Sequence, residues 1–369
     1  MKIAIIGTRG YPYVYGGFET LVRELGERLV KKDVEVHVYC QKNLFNPRPP
    51  QVNGVHLHYI PTLKGKSVNQ IVHCFLSIIH ATFSSTDVIF AVNLAAGPMG
   101  WIPKLTGKKT VINVDGLEWL RPKWKGLGGT YFYFAAKMAV KLFDQIITDA
   151  EAMHKIYLDE FHTESKVIAY GAPPFALAGE ELIERFSLHK GEYYLIVGRL
   201  IPDNNADLII KGFLNSKSTK KLVVVGDVPY ADEFAESLKN LKNEKLIFLG
   251  YITDQQELAA LYQNSFAYIH GHKFGGTNPA MLKAMSNNCA IIALDTVFNR
   301  EMLNDGEFGL FFGEREDSVA TCLELLEEQP DQLEKLRSTV SSGLTDKYNW
   351  DHVASSYYET MKALLKPSK

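Results

Sequence analysis

Short apolar runs alternate with longer amphipathic stretches along this chain, and after a break near its middle the alternation starts afresh. The first set of runs is Ile3-AII, Val34-EVHVYC, Val55-HLHYI, Val88-IFAV, Thr110-VINVD, Ile146-ITD and Lys166-VIAYG. Amphipathic stretches such as Phe18–Val30 and Ile71–Phe83 lie between them. Alternation of this kind implies βα units and a parallel sheet. The stretch Gly171-APPFALAG, rich in Gly, Pro and Ala, interrupts it. The pattern then restarts with Tyr193-YLIVGR, Lys221-LVVVGD, Lys245-LIFLGY, Ala267-YIH and Ala290-IIALD. Two Rossmann-like halves joined near residues 172–190 are the simplest α/β reading. We expect domains over 1–172 and 173–349, with a helical tail over 350–369 that packs back on the first domain. A length of 369 residues agrees with two cores rather than one.

Composition excludes some classes. A net charge of −2 gives no global signal for nucleic-acid binding, so none is expected. Cys40, Cys74, Cys289 and Cys322 are scattered without a CxxC pair and read as free thiols in a reducing compartment. The opening Met1-KIAIIG reads as a strand running into a Gly turn rather than a signal peptide. No run reaches the ~18 apolar residues that span a bilayer. A cytoplasmic location is expected, with the protein peripheral at the inner membrane face.

Four segments carry candidate chemistry. The first is Gly7-TRGYPYVYGGFET, placed after a strand and before a helix. Its GxxG spacing is not the dinucleotide fingerprint, and strand two ends in Tyr39-CQK without an acid for a ribose, which argues against a nicotinamide or flavin enzyme. Gly16 and Gly17 would let backbone approach a phosphate, and Glu19 suits the first helical turn. The plain alternative is a tight turn and helix cap.

The second segment, Asn113-VDGLEWLRPKWKG, places Asp115 and Glu118 just past a buried strand, where α/β folds bind ligands. Both are candidate catalytic groups. Alternatively, Asp115 caps a helix and Glu118 is solvated. The set Trp119, Arg121, Lys123, Trp124 and Lys125 reads either as a solvated rim or as an interfacial patch. The following Tyr131-FYFAAKMAVKLF reads as a core helix in preference to a membrane contact.

The third, Val197-GRLIPDNN, sets Arg199 past a strand end, well placed to grip a diphosphate unless it forms a surface ion pair. The fourth runs from Tyr268 to Asp295. His270 and His272 end a strand and lack a third ligand at metal spacing, so phosphate or sugar contact is expected in place of zinc. Gly275, Gly276, Thr277 and Asn278 precede a helix whose N-terminal N–H groups would form an anion nest. Glu301 lies in Phe298-NREML and would accept from ribose hydroxyls.

Taken in order, these motifs resemble those of the retaining GT-B glycosyltransferases of family four. The nearer likeness is to the rhamnosyltransferase-like subgroup of bacterial polysaccharide and O-antigen assembly. The matching signatures are Gly7 to Thr20, Asp115-GLEW, Val197-GRLIPDNN and His270-GHKFGGTNP, so the likeness runs through nearly the whole chain. It implies a GT-B fold, two Rossmann-like domains facing across a cleft. It also implies a nucleotide-sugar donor on the second domain and a lipid-linked saccharide acceptor on the first. Gly16 and Gly17 would lie near the diphosphate, Arg199 on it, and Asp115 beside the transferred sugar. The implied reaction moves a sugar, at best guess L-rhamnose from dTDP-rhamnose, by a front-face route with retention. No cofactor and no metal are expected, and contact with the inner leaflet is. Three departures stand out. Asn204 replaces a lysine, the Gly275-Gly276 turn replaces the first glutamate of a two-glutamate motif, and Lys283 replaces the second. Lysine has no acceptor for a ribose hydroxyl. Two alternatives therefore stay open: an impaired GT-B homologue serving as an assembly partner, and a GT-B sugar-nucleotide epimerase.

Overall fold

The computed structural model describes residues 1–12, 16–62, 68–124, 126–228 and 231–366. The chain forms two compact units, Met1–Tyr170 with Lys347–Lys369, and Gly171–Asp346. The breaks fall at 170 and 346, against expected boundaries at 172 and 349.

The sheet of unit 1 contains β1 (Lys2–Ile6), β2 (Glu35–Gln41), β3 (Gln51–Val52), β4 (Val55–Ile60), β5 (Val88–Ala91), β6 (Lys109–Val114), β7 (Gln145–Thr148) and β8 (Lys166–Val167). Their order is β3-β4-β2-β1-β5-β6-β7-β8. Only the β3–β4 pair is antiparallel. Ile3 to Ile6 and Val88 to Ala91 are wholly buried, as strands covered on both faces must be. Three long helices, α1 (Gly17–Val30), α2 (Val68–Thr82) and α3 (Leu127–Leu142), belong to this unit. Gly26 of α1 lies against Val36 and Val55. Tyr39, which points the other way from the same strand, bonds His80 of α2 through its hydroxyl at 2.8 Å. Helices thus cover both faces, and the strand order reverses between β1 and β5.

The last helix, Trp350–Leu364, belongs to this unit as well. Asn349 caps it by accepting from the backbone N–H groups of Asp351 and His352. Asp351 pairs with Arg28 of α1 at 2.8 Å, and Tyr357 is buried against Phe90.

Unit 2 holds β9 (Tyr193–Val197), β10 (Lys221–Val225), β11 (Leu246–Gly250), β12 (Ala267–His270), β13 (Ile291–Leu294) and β14 (Leu310–Phe312). All pair in parallel, in the order β11-β10-β9-β12-β13-β14. Tyr194, Phe213, Leu222, Ile269 and Ile292 stand at its core. Here the order reverses between β9 and β12. Open α/β sheets bind ligands outside the carboxyl ends of their strands at such a reversal.

Candidate functional site

In unit 2 the reversal point is built by two loops locked together. Gly226, at φ +125, passes so close to the end of β9 that a Cβ there would meet the Gly198 carbonyl oxygen at 1.9 Å. A Cβ on Gly271, after β12, would meet the Asn204 carbonyl oxygen at 2.3 Å. Asn204 ties the two loops: its Nδ2 donates to the Arg199 carbonyl at 2.8 Å, and its Oδ1 lies 2.8 Å from His272 Nδ1. The neighbouring Asn205 donates to the Gly271 carbonyl at 2.8 Å. Asn204 therefore spends both ends of its amide on the scaffold.

Two polar groups are left unmet at this edge. The Arg199 guanidinium takes no hydrogen bond or ion pair among the described residues, so the surface ion pair is not formed. His270, 3% exposed, bonds Tyr268 through Nδ1 at 2.8 Å, while its Nε2 has no partner among the described residues. Burial pushes its pKa down to about 3, so the ring is neutral.

The helix Pro279–Ser286 offers fewer donors than the sequence led us to expect. Asn278 is its N-cap, with Oδ1 accepting from the Ala280 N–H at 2.9 Å. Pro279 has no N–H, and the N–H of Asn278 itself points to the Met302 sulfur at 3.4 Å. The anion nest after Gly276 is correspondingly reduced. Gly275, Gly276 and Thr277 are buried in the turn before it. Lys283, in the middle of this helix, donates to Gln255 Oε1 at 2.8 Å. Glu301 lies half-buried in the last turn of the helix Val297–Met302, whose N-cap is Thr296. Asn299 of the same helix donates to the His272 and Leu294 carbonyls at 3.1 and 2.8 Å, and so fixes the loop. Nothing in its sequence context marked it.

In unit 1 the loop after β1 needs glycine at Gly7 (φ +90) and at Gly10 (φ +137), where a Cβ would meet the Phe45 ring at 2.6 Å. Residues 13–15 of this motif lie outside the described residues. Gly16 is the extended N-cap of α1, and Gly17 its first residue. Glu19 does more than face a dipole. Buried at 4% exposure, it accepts from the Arg9 N–H at 3.1 Å and the Thr8 hydroxyl at 3.3 Å.

Past β6, Asp115 accepts from the Tyr170 hydroxyl at 2.8 Å. Burial raises its pKa to about 6, against the lowering effects of the Tyr170 bond and Arg121. Glu118 is not solvated, and Asp115 caps no helix. Glu118 Oε1 pairs with Arg121 Nε at 2.8 Å, and Oε2 accepts from Trp124 Nε1 at 2.7 Å. Nor do Trp119, Arg121 and Trp124 of the basic and aromatic set form a solvated rim. Arg121 is buried, Trp119 packs edge-on against Tyr133, Tyr157 and Phe161, and Trp124 packs on Phe132. Aromatic rings gain most when their faces are desolvated, which outweighs the local charge. Lys125 and the Lys123 side chain lie outside the described residues.

Residues 180–341 match the family described as glycosyl transferases group 1. Residues 1–60 and 68–173 match a domain of unknown function (DUF1972). Among curated proteins, one relative is the N-acetylgalactosamine-N,N'-diacetylbacillosaminyl-diphospho-undecaprenol 4-alpha-N-acetylgalactosaminyltransferase of Campylobacter jejuni. It is 30% identical over 145 residues, 39% of each chain. Another is the alpha-monoglucosyldiacylglycerol synthase of Streptococcus pneumoniae, 27% identical over 161 residues, 42% of this chain and 36% of that one. The matches thus span less than two fifths of the length of either relative. Sucrose-phosphate synthase from Thermosynechococcus elongatus superposes with a TM-score of 0.84 at 14% identity, over 98% of both chains. The Anabaena protein Alr3699/HepE in complex with UDP gives 0.76 at 15% identity, over 98% of this chain and 100% of that one. The fold is therefore GT-B, and within it residues 180–341 match the glycosyl transferases group 1 family.

Proposed function

We propose that this chain is a retaining glycosyltransferase. It moves a sugar from a nucleotide-sugar donor to a lipid-diphosphate-linked saccharide in the synthesis of a cell-surface polysaccharide. The observation that carries this reading is the pair of unmet groups at the reversal point of unit 2. Arg199 follows β9 and His270 ends β12, two adjacent parallel strands. A nucleoside diphosphate supplies what both lack. Its phosphate oxygens match the guanidinium fork. A ribose or sugar hydroxyl both donates and accepts, and so satisfies His270 Nε2 in either tautomer.

Charge develops on the departing diphosphate as the sugar leaves it. A preorganised Arg199 stabilises that charge where it forms, and the leaving phosphate oxygen takes the acceptor proton. Asp115 orients the acceptor hydroxyl, and Glu118 holds the loop that presents Asp115. Gly16 and Gly17 keep the start of α1 open to phosphate. Lys283, Glu301 and the turn from Gly275 to Thr277 complete the donor side.

The lipid-borne acceptor is carried over from the two curated relatives, one named for a diphospho-undecaprenol saccharide and the other for a glucosyldiacylglycerol. The Alr3699/HepE structure with UDP supports a uridine-type or similar donor. The finer choice of dTDP-L-rhamnose rests on the signatures Gly7 to Thr20 and His270 to Pro279. With such an acceptor, the protein works peripherally at the inner membrane face.

A thermal-shift screen of dTDP-, UDP- and GDP-linked sugars, followed by transfer to a lipid-diphosphate saccharide, tests the proposal. One donor class should raise the melting temperature and release its nucleoside diphosphate only with acceptor present. Release from none of them would overturn the enzyme reading, and release without transfer would overturn the acceptor.

A further inference from the structure

Helix α2 is built inside out. Its inward side carries His73 and Ser77 among Cys74, Ile78 and Ala81, all buried. Its outward side carries Val68, Phe75 and Leu76, with Phe83 one residue past the end and 70% exposed. Val68, Val72, Phe75, Ile79 and Phe83 recur at helical spacing and make one stripe. No Lys, Arg, Asp or Glu occurs from 67 to 86, so nothing charged on this helix interrupts the stripe. A helix that faces water ordinarily carries the reverse arrangement.

The surface continues from there. Thr106 Oγ1 donates to the Thr82 carbonyl at 3.2 Å and Lys108 Nζ to the Ser84 carbonyl at 2.8 Å. These bonds seat the Trp101–Leu105 turn beside the end of α2, with Trp101 52% and Leu105 65% exposed. On its other side the 3-10 turn Leu94–Met99 meets α3 so closely that a Cβ on Gly97 would meet the Ala135 carbonyl oxygen at 2.2 Å. The exposed positions of α3 are Leu127, Thr130 and Phe134, then Lys137 and Lys141. No acidic residue occurs from 119 to 143, so Lys137 and Lys141 have no acid beside them on their own helix, while Arg121 is buried against Glu118.

We propose that this face of unit 1 docks on the surface of an anionic lipid bilayer. Its elements are the outward stripe of α2, the Trp101–Leu105 turn and the lysine end of α3. Charge selects the occupant. The exposed Lys137 and Lys141 complement anionic headgroups, whereas a second copy of the chain would set lysines against lysines. Trp101 and the phenylalanines suit the depth of the headgroup boundary, with lysine ammonium groups reaching to phosphate. Among the described residues no helix is long and apolar enough to cross a membrane. At 15 residues α2 spans roughly 22 Å against a hydrocarbon core of about 30 Å, so it lies in the interface rather than through it. The inference rests on the transferase reading for its purpose, since docking brings unit 1 to a lipid-borne acceptor, but its test is independent of turnover.

The experiment is co-sedimentation of the full chain with phosphatidylglycerol-rich vesicles and with pure phosphatidylcholine vesicles. The protein should pellet with the first at low salt and be released at high salt. The double variant Phe75→Ser with Phe83→Ser should lower the partition coefficient at least tenfold. Lys137→Gln with Lys141→Gln should lower it by about fivefold per lysine. Leu177→Ser, at an exposed leucine of unit 2, should leave it unchanged. Wild-type protein that stays in the supernatant at low salt overturns the proposal, as does a phenylalanine double variant that pellets normally. A wild-type dimer that the double variant turns into monomers, with no vesicle binding, also overturns it and assigns the face to a second copy. Transfer to a water-soluble, short-chain acceptor separates the two readings. Vesicle binding without transfer defeats the enzyme, and transfer without vesicle binding defeats the docking face.

Discussion

The parallel cores of the two units reverse their strand order at the same place, after the first strand, and use the charged groups of their carboxyl-end loops differently. Around the carboxyl-end loops of unit 1 the acidic side chains are spoken for: Glu19 by the Thr8–Arg9 turn, Glu118 by Arg121 and Trp124, Asp115 by Tyr170. At the same place in unit 2, the Arg199 guanidinium and His270 Nε2 are unmet while the asparagines around them hold the backbone. Arg199 is half-buried, but His270 Nε2 is enclosed, and a buried polar atom without a partner costs about 1–3 kcal/mol, which a fold carries when a ligand relieves it. Unit 1 therefore uses charge to shape a loop, and unit 2 keeps it for a guest.

Removing one of the spoken-for acids should have the largest effect. Glu118→Ala strips the buried Arg121 of the carboxylate on its Nε and frees the Trp124 N–H. A buried cation that loses its anion costs about 3 kcal/mol. Urea unfolding should show that loss, and hydrogen exchange should place it in residues 117–124. A variant within about 0.5 kcal/mol of wild type, the range of ordinary surface changes, would mean that Glu118 is not structural.

Arg199→Ala is the converse. Having no partner among the described residues, the guanidinium can leave without harming the apo fold, so the melting temperature should hold. Affinity for the donor's nucleoside diphosphate should fall by roughly 10- to 100-fold, as expected for charge-assisted hydrogen bonds. Arg199→Lys should recover part of it, because an ammonium lacks the fork. Calorimetric titration decides: undiminished affinity in the alanine variant would remove the diphosphate role and with it the contrast between the units.

This contrast was half legible in the sequence. The apolar runs marked twelve of the strands that formed, because Val, Ile and Leu runs of a fully covered parallel strand need no partner to be recognised. β3 and β14, two and three residues long, escaped, since no apolar run was marked at either. Arg199 and His270 stood out because a polar residue directly past an apolar run has few structural uses. The role of Glu118 did not stand out. Trp119 to Trp124 look like surface by charge, and only the tertiary packing of Tyr133, Tyr157 and Phe161 makes them interior. Asp115 likewise depends on Tyr170, fifty-five positions away. Asn278, expected at the donor, also precedes a proline at a helix start, where asparagine is a capping residue, and its Oδ1 forms that cap.

Asp115 tests the boundary between the two habits, with a smaller expected effect on stability. It is an acid of unit 1, yet burial raises its pKa to about 6 from the ordinary 3.8 of an aspartate. The folded chain therefore holds this proton more tightly than the unfolded one. The stabilisation by the neutral carboxyl is fully present below pH 3.8 and is lost as pH rises through 6. At pH 8 the ionised, enclosed carboxylate works against the fold. Asp115→Asn keeps an oxygen for the Tyr170 hydroxyl and removes the charge. It should gain about 1–3 kcal/mol at pH 8, and that gain should vanish near pH 4. Transfer should fall above about pH 6, where the carboxylate is ionised, since an amide cannot orient the acceptor hydroxyl by charge. Strain of this kind is retained where function uses it. Denaturant midpoints at pH 4, 6 and 8 give the answer. A gain that is equal at all three would trace to shape and not to ionisation. A loss at pH 8 would put Asp115 with Glu19 and Glu118, as a carboxylate that the fold of unit 1 needs charged.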